Sequence, residues 1–193
     1  MNTLIVASTN AGKIHEVRLA LHDLRDWAIE PLPSGLPAIE ESGATFLENA
    51  ALKAVHYSSL VEGLALADDS GLCVKALGNR PGVWSARYGA TAEERNRRVL
   101  TELAGLADSP DRGAVFHCAF VVARAGVVMW STEAQLDGQI TSEPTGGSGF
   151  GFDPIFFVPE LRKTLAQLTT EEKNRTSARG QALVRLRQFL TWP

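Results

Sequence analysis

The stretch LIVASTNAGKIHEVRLALHDL, residues 4–24, changes its hydrophobic period part-way along. Residues 4–7 form a short, continuous apolar run, which is typical of a buried strand. Beyond residue 13 the apolar residues recur at helical spacing, as Ile14, Val17, Leu21 and Leu24. The stretch therefore predicts a strand, a tight loop and a helix, which together are the building block of an α/β protein.

Three later helices are predicted from local patterns. Two begin with a Thr followed three positions later by a Glu, the capping-box pattern, at Thr45 with Glu48 and at Thr91 with Glu94. The third, near the C-terminus, carries a leucine stripe formed by Leu183, Leu186 and Leu190.

The centre of the chain is rich in predicted strands. Residues 64–67 are a short apolar strand expected to end at Asp68, and residues 115–123 and 127–132 are predicted to form a hairpin. A further strand is expected at 133–136, ending at the Asp-Gly pair of 137–138. The fold class is therefore α/β with a mixed sheet and flanking helices, predicted as one domain over residues 1–193, in two lobes about a cleft and without a separate linker.

Composition narrows the function classes. The chain has 193 residues, is 45% hydrophobic and carries a formal net charge of -3, which disfavours a nucleic-acid polymer or an anionic membrane as partner. The apolar runs are too short to span a bilayer. Cys73 and Cys118 are far apart and lack the spacing of a zinc site or a disulfide framework, so a reducing cytoplasm is the expected location.

The segment STNAGK, residues 8–13, follows the first strand and opens the first helix. Its backbone N–H groups, the helix dipole and the charge of Lys13 would favour an anion, and phosphate is the natural choice. The segment lacks the P-loop pattern, and a turn that only joins strand to helix is the alternative.

The segment ADDSG, residues 67–71, places two carboxylates after the predicted strand. Adjacent carboxylates repel unless a cation or proton lies between them, so Asp68 and Asp69 would suit Mg²⁺. A second acidic pair, Glu40 and Glu41, could complete an oxygen-rich metal site. A solvated turn at 67–71 and a solvated loop at 40–41 are the alternatives.

Two further segments are candidate ligand surfaces. GGSGFGFDP, residues 146–154, combines glycines that allow close approach with flat aromatic rings, so it predicts either a site for a planar ligand or a plain turn. EEKNRTSARGQAL, residues 171–183, concentrates Lys173, Arg175 and Arg179, which could reach phosphate or a base edge, or could line a solvated helix face.

Taken together, five blocks of the chain resemble the inosine triphosphatase family, the house-cleaning pyrophosphatases for dITP, ITP and XTP. The blocks follow the family's order and run nearly end to end: ASTNAGKIHEV at 7–17, EESGATFLENAALKA at 40–54, ADDSGLCVKALGNRPGVWSARY at 67–88, GFGFDPIFFVP at 149–159 and EEKNRTSARGQAL at 171–183. The resemblance implies an elongated α/β fold with an active-site cleft between two lobes, a homodimer, and Mg²⁺-dependent hydrolysis to the nucleoside monophosphate and pyrophosphate.

The resemblance also assigns roles by position. Asp69 is expected to bind the metal and act as the base toward water, with Glu41, or else Glu40, as a further metal ligand. The triphosphate is expected on Ser8, Thr9, Asn10, Ala11, Gly12 and Lys13, with Ser70 touching the substrate. The purine pocket is expected from Phe150, Gly151, Phe152, Asp153, Lys173 and Arg179.

One position departs from the family pattern. The usual Ser-His-Arg is here Ser177, Ala178 and Arg179, so an imidazole expected beside the base is absent. The absent imidazole makes a nucleotide-binding regulator with weak catalysis one alternative to a selective pyrophosphatase. Among enzymes, the alternative is a Maf-type nucleotide pyrophosphatase, which shares the general fold. The Maf reading is disfavoured because Asn10 and Lys13 stand where that group has a Ser-Pro-Arg-Arg style of loop.

Overall fold

The computed structural model describes residues 1–106 and 112–192, and within them eight strands and five α-helices form an α/β fold. The strands are β1 (Asn2–Val6), β2 (Trp27–Pro31), β3 (Leu64–Val74), β4 (Arg80–Pro81), β5 (Gly113–Arg124), β6 (Val127–Ile140), β7 (Phe156–Val158) and β8 (Lys163–Thr164). The helices are α1 (Ala11–Leu21), α2 (Phe46–Ser58), α3 (Ala92–Glu102), α4 (Thr170–Thr176) and α5 (Ala178–Thr191).

The strands form one mixed sheet in the order β2-β1-β3-β5-β6-β7-β8, with β4 paired to β3. β1 pairs in parallel with β2 and with β3, whereas the β3–β4, β6–β7 and β7–β8 pairs are antiparallel. The predicted α/β class with a mixed sheet is therefore confirmed. No described helix has the length and apolar character that crossing a membrane requires.

The chain divides into two compact units. Unit 1 comprises Met1–Asp69, Cys118–Ala134 and Gln181–Pro193, and unit 2 comprises Ser70–His117 and Gln135–Gly180. The expectation of a single domain over the whole chain stays a prediction.

Unit 1 is built on the parallel strands β1, β2 and β3. Leu4 of β1 lies beside Leu64 of β3 and beside Ile29 of β2, and the interior of β1 is fully buried, as expected of a central parallel strand. The C-terminal part of the chain closes this unit, where the indole Nε1 of Trp27 donates to the carbonyl of Leu190 at 3.2 Å.

Unit 2 contains a hydrophobic core of its own. The core side chains come from both ranges of the unit and include Leu72, Val74, Val99, Leu103, Ile140, Phe152, Ile155, Phe156 and Leu165. Short antiparallel pairings place β7 between β6 and β8, with Phe157 beside both Gln139 and Thr164. From the glycine-rich segment Phe152 belongs to this core, whereas residues 146–149 are exposed.

Two predicted strand ends are wrong. β3 does not end at Asp68 but runs to Val74, so 67–71 is extended strand and the solvated turn is excluded. Pairing with β1 at 64–66 and with β4 at 73–74 keeps the intervening residues extended, against the low strand propensity of Asp and Gly. Likewise β6 is one strand over 127–140, because its last residues pair with β7 and leave no turn at 137–138.

Candidate functional site

The first loop of unit 1 is held by its own asparagine. Asn10 is the N-cap of α1, and its Oδ1 accepts from the backbone N–H groups of Gly12 at 2.9 Å and Lys13 at 3.2 Å. The N–H of Asn10 in turn donates to Ser8 Oγ at 3.1 Å, while Thr9 and Ala11 are exposed. The loop therefore caps α1, as expected of a turn that joins a strand to a helix. Its lysine extends from the first turn of α1.

The ammonium of Lys13 forms an ion pair with Asp68, whose carboxylate is buried. The other oxygen of Asp68 accepts from the thiol of Cys118 on β5 at 3.6 Å. Sequence reasoning missed Cys118, because 50 residues separate it from Asp68 and only the neighbouring strands of unit 1 bring the two together. Asp68 is therefore held from two sides within this unit.

Lys53 joins two of the predicted metal ligands. From α2 its ammonium donates to Glu41 Oε1 at 2.7 Å and lies 3.3 Å from Asp69 Oδ1. Asn49, one turn earlier, donates from Nδ2 to Asp69 Oδ2 at 3.3 Å. Glu40 is exposed, so Glu41 is the member of the acidic pair that the fold brings to Asp69.

The electrostatics of this cluster are set by burial and by its opposite charges. Burial raises the pKa of Asp69 above its ordinary value, although Lys53 and Lys13 oppose the rise. Burial disfavours the ammonium of Lys53, but the carboxylates of Asp69, Asp68 and Glu41 together outweigh that effect and raise its pKa. Asp69 is thus a carboxylate whose proton affinity is greater than that of an exposed aspartate, which suits a general base.

The cluster fits a hard divalent cation through its donor set. Within residues 1–106 and 112–192, no three His, Cys, Asp or Glu side chains converge at metal-binding distance. Two carboxylates nevertheless do converge, since Glu41 and Asp69 share the positive charge of Lys53. Mg²⁺ in nucleotide enzymes commonly takes one or two carboxylates, with water and phosphate oxygens as its other ligands, so two are enough.

Unit 2 contains a second cluster, centred on Asp153. Its Oδ2 accepts from the backbone N–H of Phe150 at 2.7 Å and from the ammonium of Lys173 at 2.6 Å, and both charged groups are buried. Gly149 has a φ of +77°, and a Cβ there would lie 2.1 Å from the same oxygen. The glycine therefore lets the turn close over its own aspartate.

The ring of Phe150 faces two cations of unit 2. Lys173 Nζ lies 4.4 Å and Arg179 Cζ 5.4 Å from the ring centroid, which is the geometry of cation–π contact. Arg179 also donates from Nη2 to Ser70 Oγ at 2.7 Å. Phe152 instead packs in the core, so of the two predicted stacking rings only Phe150 is partly exposed.

The fold thus collects some of the predicted residues, together with Lys53, into two clusters. Unit 1 brings together Lys13, Lys53, Glu41, Asp68 and Asp69, and unit 2 brings together Ser70, Phe150, Asp153, Lys173 and Arg179. Ala178, where the family pattern has histidine, is 3% exposed and begins α5.

A family model described as the Ham1 family matches residues 4–189. The chain belongs to the Ham1 family. Among the relatives of this Ham1 chain are two proteins named dITP/XTP pyrophosphatase. The one from Gloeobacter violaceus is 47% identical over 186 residues, which is 96% of this chain and 93% of the relative. The one from Nitrosomonas europaea is 46% identical over 199 residues, which is 99% of this chain and 95% of the relative.

Solved Ham1 structures have the same fold. A HAM1 protein from Coxiella burnetii superimposes with a TM-score of 0.87 at 42% identity, covering 99% of both chains. The Ham1 protein of Staphylococcus aureus superimposes with a TM-score of 0.84 at 34% identity, covering 98% of both chains. The family resemblance read from the five sequence blocks is confirmed.

Proposed function

We propose that this Ham1 protein hydrolyses the nonstandard purine nucleoside triphosphates dITP, ITP and XTP to the monophosphate and pyrophosphate. The observation that carries the proposal is the likeness, over nearly the whole chain, to relatives named dITP/XTP pyrophosphatase. The charged cluster of unit 1 supports it, because cations and carboxylates at one place suit a triphosphate with its metal.

The cofactor proposed is Mg²⁺, with Glu41 and Asp69 as its protein ligands. When bound, Mg²⁺ would neutralise phosphate charge and lower the pKa of the attacking water. Glu40 is a weaker candidate because it is exposed and makes no contact with Lys53 among the described residues. Asp69 is the proposed base, and the raised pKa of its carboxyl favours proton uptake from water.

The first loop and Lys13 are proposed to hold the triphosphate. The ammonium of Lys13 already has an anionic partner in Asp68, so phosphate oxygens would compete with that carboxylate for it. The N–H groups of Gly12 and Lys13 are taken by Asn10, so the lysine and the hydroxyls of Ser8 and Thr9 are the groups proposed to contact phosphate.

The cluster of unit 2 is proposed to recognise the base. The hydrogen bond to Ser70 orients the guanidinium of Arg179, which is proposed to donate to the O6 oxygen of hypoxanthine or xanthine. Adenine carries an amino group at that position and would leave the arginine without its acceptor. Phe150 offers a ring face, and Asp153 with Lys173 offers polar edges.

A pyrophosphate-release assay with ITP, XTP, dITP, GTP and ATP, with and without Mg²⁺, tests this function. We expect release from ITP, dITP and XTP that requires Mg²⁺, and little release from ATP. Tight ITP binding without any release would instead favour the nucleotide-binding regulator. Equal rates on ATP and ITP would overturn the proposed base selectivity.

We also propose a cytoplasmic homodimer, as the family resemblance implies. The two free cysteines, Cys73 and Cys118, agree with a reducing compartment. Light scattering coupled to size exclusion should give about twice the mass of one chain. A monomeric mass at micromolar concentration would contradict the dimer.

A further inference from the structure

Asn49 connects the two segments that carry the proposed metal ligands. It lies in the first turns of α2 and is 1% exposed. Its Oδ1 accepts from the backbone N–H of Gly43 at 2.8 Å, and its Nδ2 donates to Asp69 Oδ2 at 3.3 Å. One side chain thus contacts both the loop that contains Glu41 and the aspartate on β3.

The loop lies directly on the start of α2. A Cβ at Gly43 would be 2.7 Å from the Cβ of Glu48 and 2.8 Å from Asn49 Oδ1, so only glycine fits at this distance. Glu48 adds a further contact by accepting from the N–H of Ala44 at 2.7 Å. The backbone N–H groups of Gly43 and Ala44, two and three residues after Glu41, therefore fix where Glu41 lies beside the start of α2.

Asn49 and Lys53 make parallel connections. They are four residues apart on α2, so they lie on one face of the helix, and both reach Asp69. Lys53 links Asp69 to the Glu41 carboxylate through charge on a long, flexible side chain. A cation bound by the two carboxylates would compete with Lys53, whereas the amide of Asn49 carries no charge and its contacts would persist.

We propose that Asn49 is a positioning residue that sets the separation of Glu41 and Asp69 for a divalent cation, an inference that rests on the proposed function. An amide suits this role because it offers one donor and one acceptor and adds no charge beside the two carboxylates. Groups that hold metal ligands in place commonly affect metal affinity by about 10–100-fold when they are removed.

The test measures Mn²⁺ binding to the nucleotide-free full chain by electron paramagnetic resonance, together with hydrogen exchange at the Gly43 amide. Asn49→Leu keeps the side-chain volume and removes both hydrogen bonds. We expect Mn²⁺ to bind about 10–100-fold more weakly to this variant and the Gly43 amide to exchange faster.

Asn96→Leu is the matched control. Asn96 is also a buried helical asparagine, but it lies on α3 in unit 2, and its Oδ1 has no hydrogen-bond partner among the described residues. This variant should leave both readouts at the wild-type value. If Asn49→Leu fails to fold, Asn49→Ser, which is too short to reach both partners, should give the same weakening.

Unchanged Mn²⁺ affinity in a folded Asn49 variant would overturn the inference, as would a wild type that binds no Mn²⁺ at all. If Mn²⁺ affinity is unchanged in the variant and the wild type releases pyrophosphate from ITP normally, only the positioning role is overturned. A wild type that binds Mn²⁺ in an Asn49-dependent way but cleaves no nucleotide overturns the proposed function alone.

Discussion

The ammonium of Lys173 lies 2.6 Å from the carboxylate of Asp153, and both side chains are at least nine-tenths buried. Removing one member of such a pair leaves the other charge in a place that solvates it poorly. Asp153→Asn should therefore lower the free energy of unfolding by about 3–5 kcal/mol in urea titrations. Glu171→Gln, which alters an exposed ion pair with Arg175, should change it by less than about 1 kcal/mol.

The same substitution tests base recognition. In Asp153→Asn the selectivity for ITP over ATP, measured as the ratio of kcat/KM values, should change more than the Mg²⁺ dependence of the reaction. The reason is that Asp153 belongs to the cluster of Phe150 and Lys173, whereas the proposed metal ligands belong to unit 1. If the variant loses its Mg²⁺ dependence and keeps its selectivity, the glycine-rich segment is a plain turn and not part of the base-recognition site.

The pH dependence of hydrolysis should respond to Lys53. The proposed base, Asp69, must be deprotonated, so kcat/KM should fall as the pH drops through the pKa of its carboxyl. Burial raises that pKa and the charge of Lys53 lowers it. Lys53→Met should therefore move the acidic limb of the profile to higher pH. Lys163→Met, which removes an exposed cation paired with Glu172, should leave the limb in place.

Arg187 and Asp23 should make stability depend on pH at the acidic end. The guanidinium contacts both carboxylate oxygens, the second at 2.7 Å, and this hydrogen bonding lowers the pKa of Asp23 to about 2. The stabilisation is present above the ordinary pKa of about 4 and is lost as the pH falls toward 2. Asp23→Asn should thus reduce Tm slightly at pH 6 and should reduce it much less at pH 2. An equal reduction at both pH values would show that the ion pair is not the cause.

Ala178→His restores the residue that the family pattern has at this position. We expect it to tighten ITP binding or raise turnover, measured as KM and kcat. Ala178→Leu, which adds volume without ring nitrogens, should not reproduce the gain. Unchanged kinetic constants in the histidine variant would show that the departure has no consequence for this enzyme.

Local patterns in the sequence were sufficient for the fold class and for the starts of α2 and α3. The Thr45 and Glu48 pattern is a complete capping box, in which Thr45 Oγ1 accepts from the N–H of Glu48 at 3.1 Å. The apolar run after Asn2 is indeed a buried strand, and the family resemblance named members of both clusters. The helix starts and the strand could be predicted because each depends on residues close together in the chain, and the resemblance could be recognised because each of its blocks is a continuous stretch of sequence.

Features that depend on pairing between strands far apart in the sequence could not be predicted from local patterns. Asp68 and Asp69 have low strand propensity, so their extended conformation follows from pairing elsewhere on β3. The contact between Cys118 and Asp68 follows from packing within unit 1 and has no local signal. The assignment of Glu41 rather than Glu40 to the cluster likewise required the position of Lys53.

Arg112 shows how unit 2 fixes its glycine-rich segment. Its buried guanidinium donates to the carbonyl of Ile140 at 2.7 Å and to that of Leu103 at 3.0 Å, and it also reaches the carbonyl of Thr141. The end of β6 is thereby anchored to the C-terminal end of α3, just before the segment begins.

The remainder of the segment is anchored at intervals. The N–H of Thr145 donates to the carbonyl of Pro154 at 2.8 Å, the N–H of Ser148 donates to that of Ala166 at 3.0 Å, and Asp153 is held by Lys173. Four glycines in nine residues would suggest a flexible loop, yet these bonds hold the backbone near both ends of the segment and at its aspartate. Its ordering entropy is lost when the chain folds, so a ligand that stacks there keeps more of its contact energy as affinity.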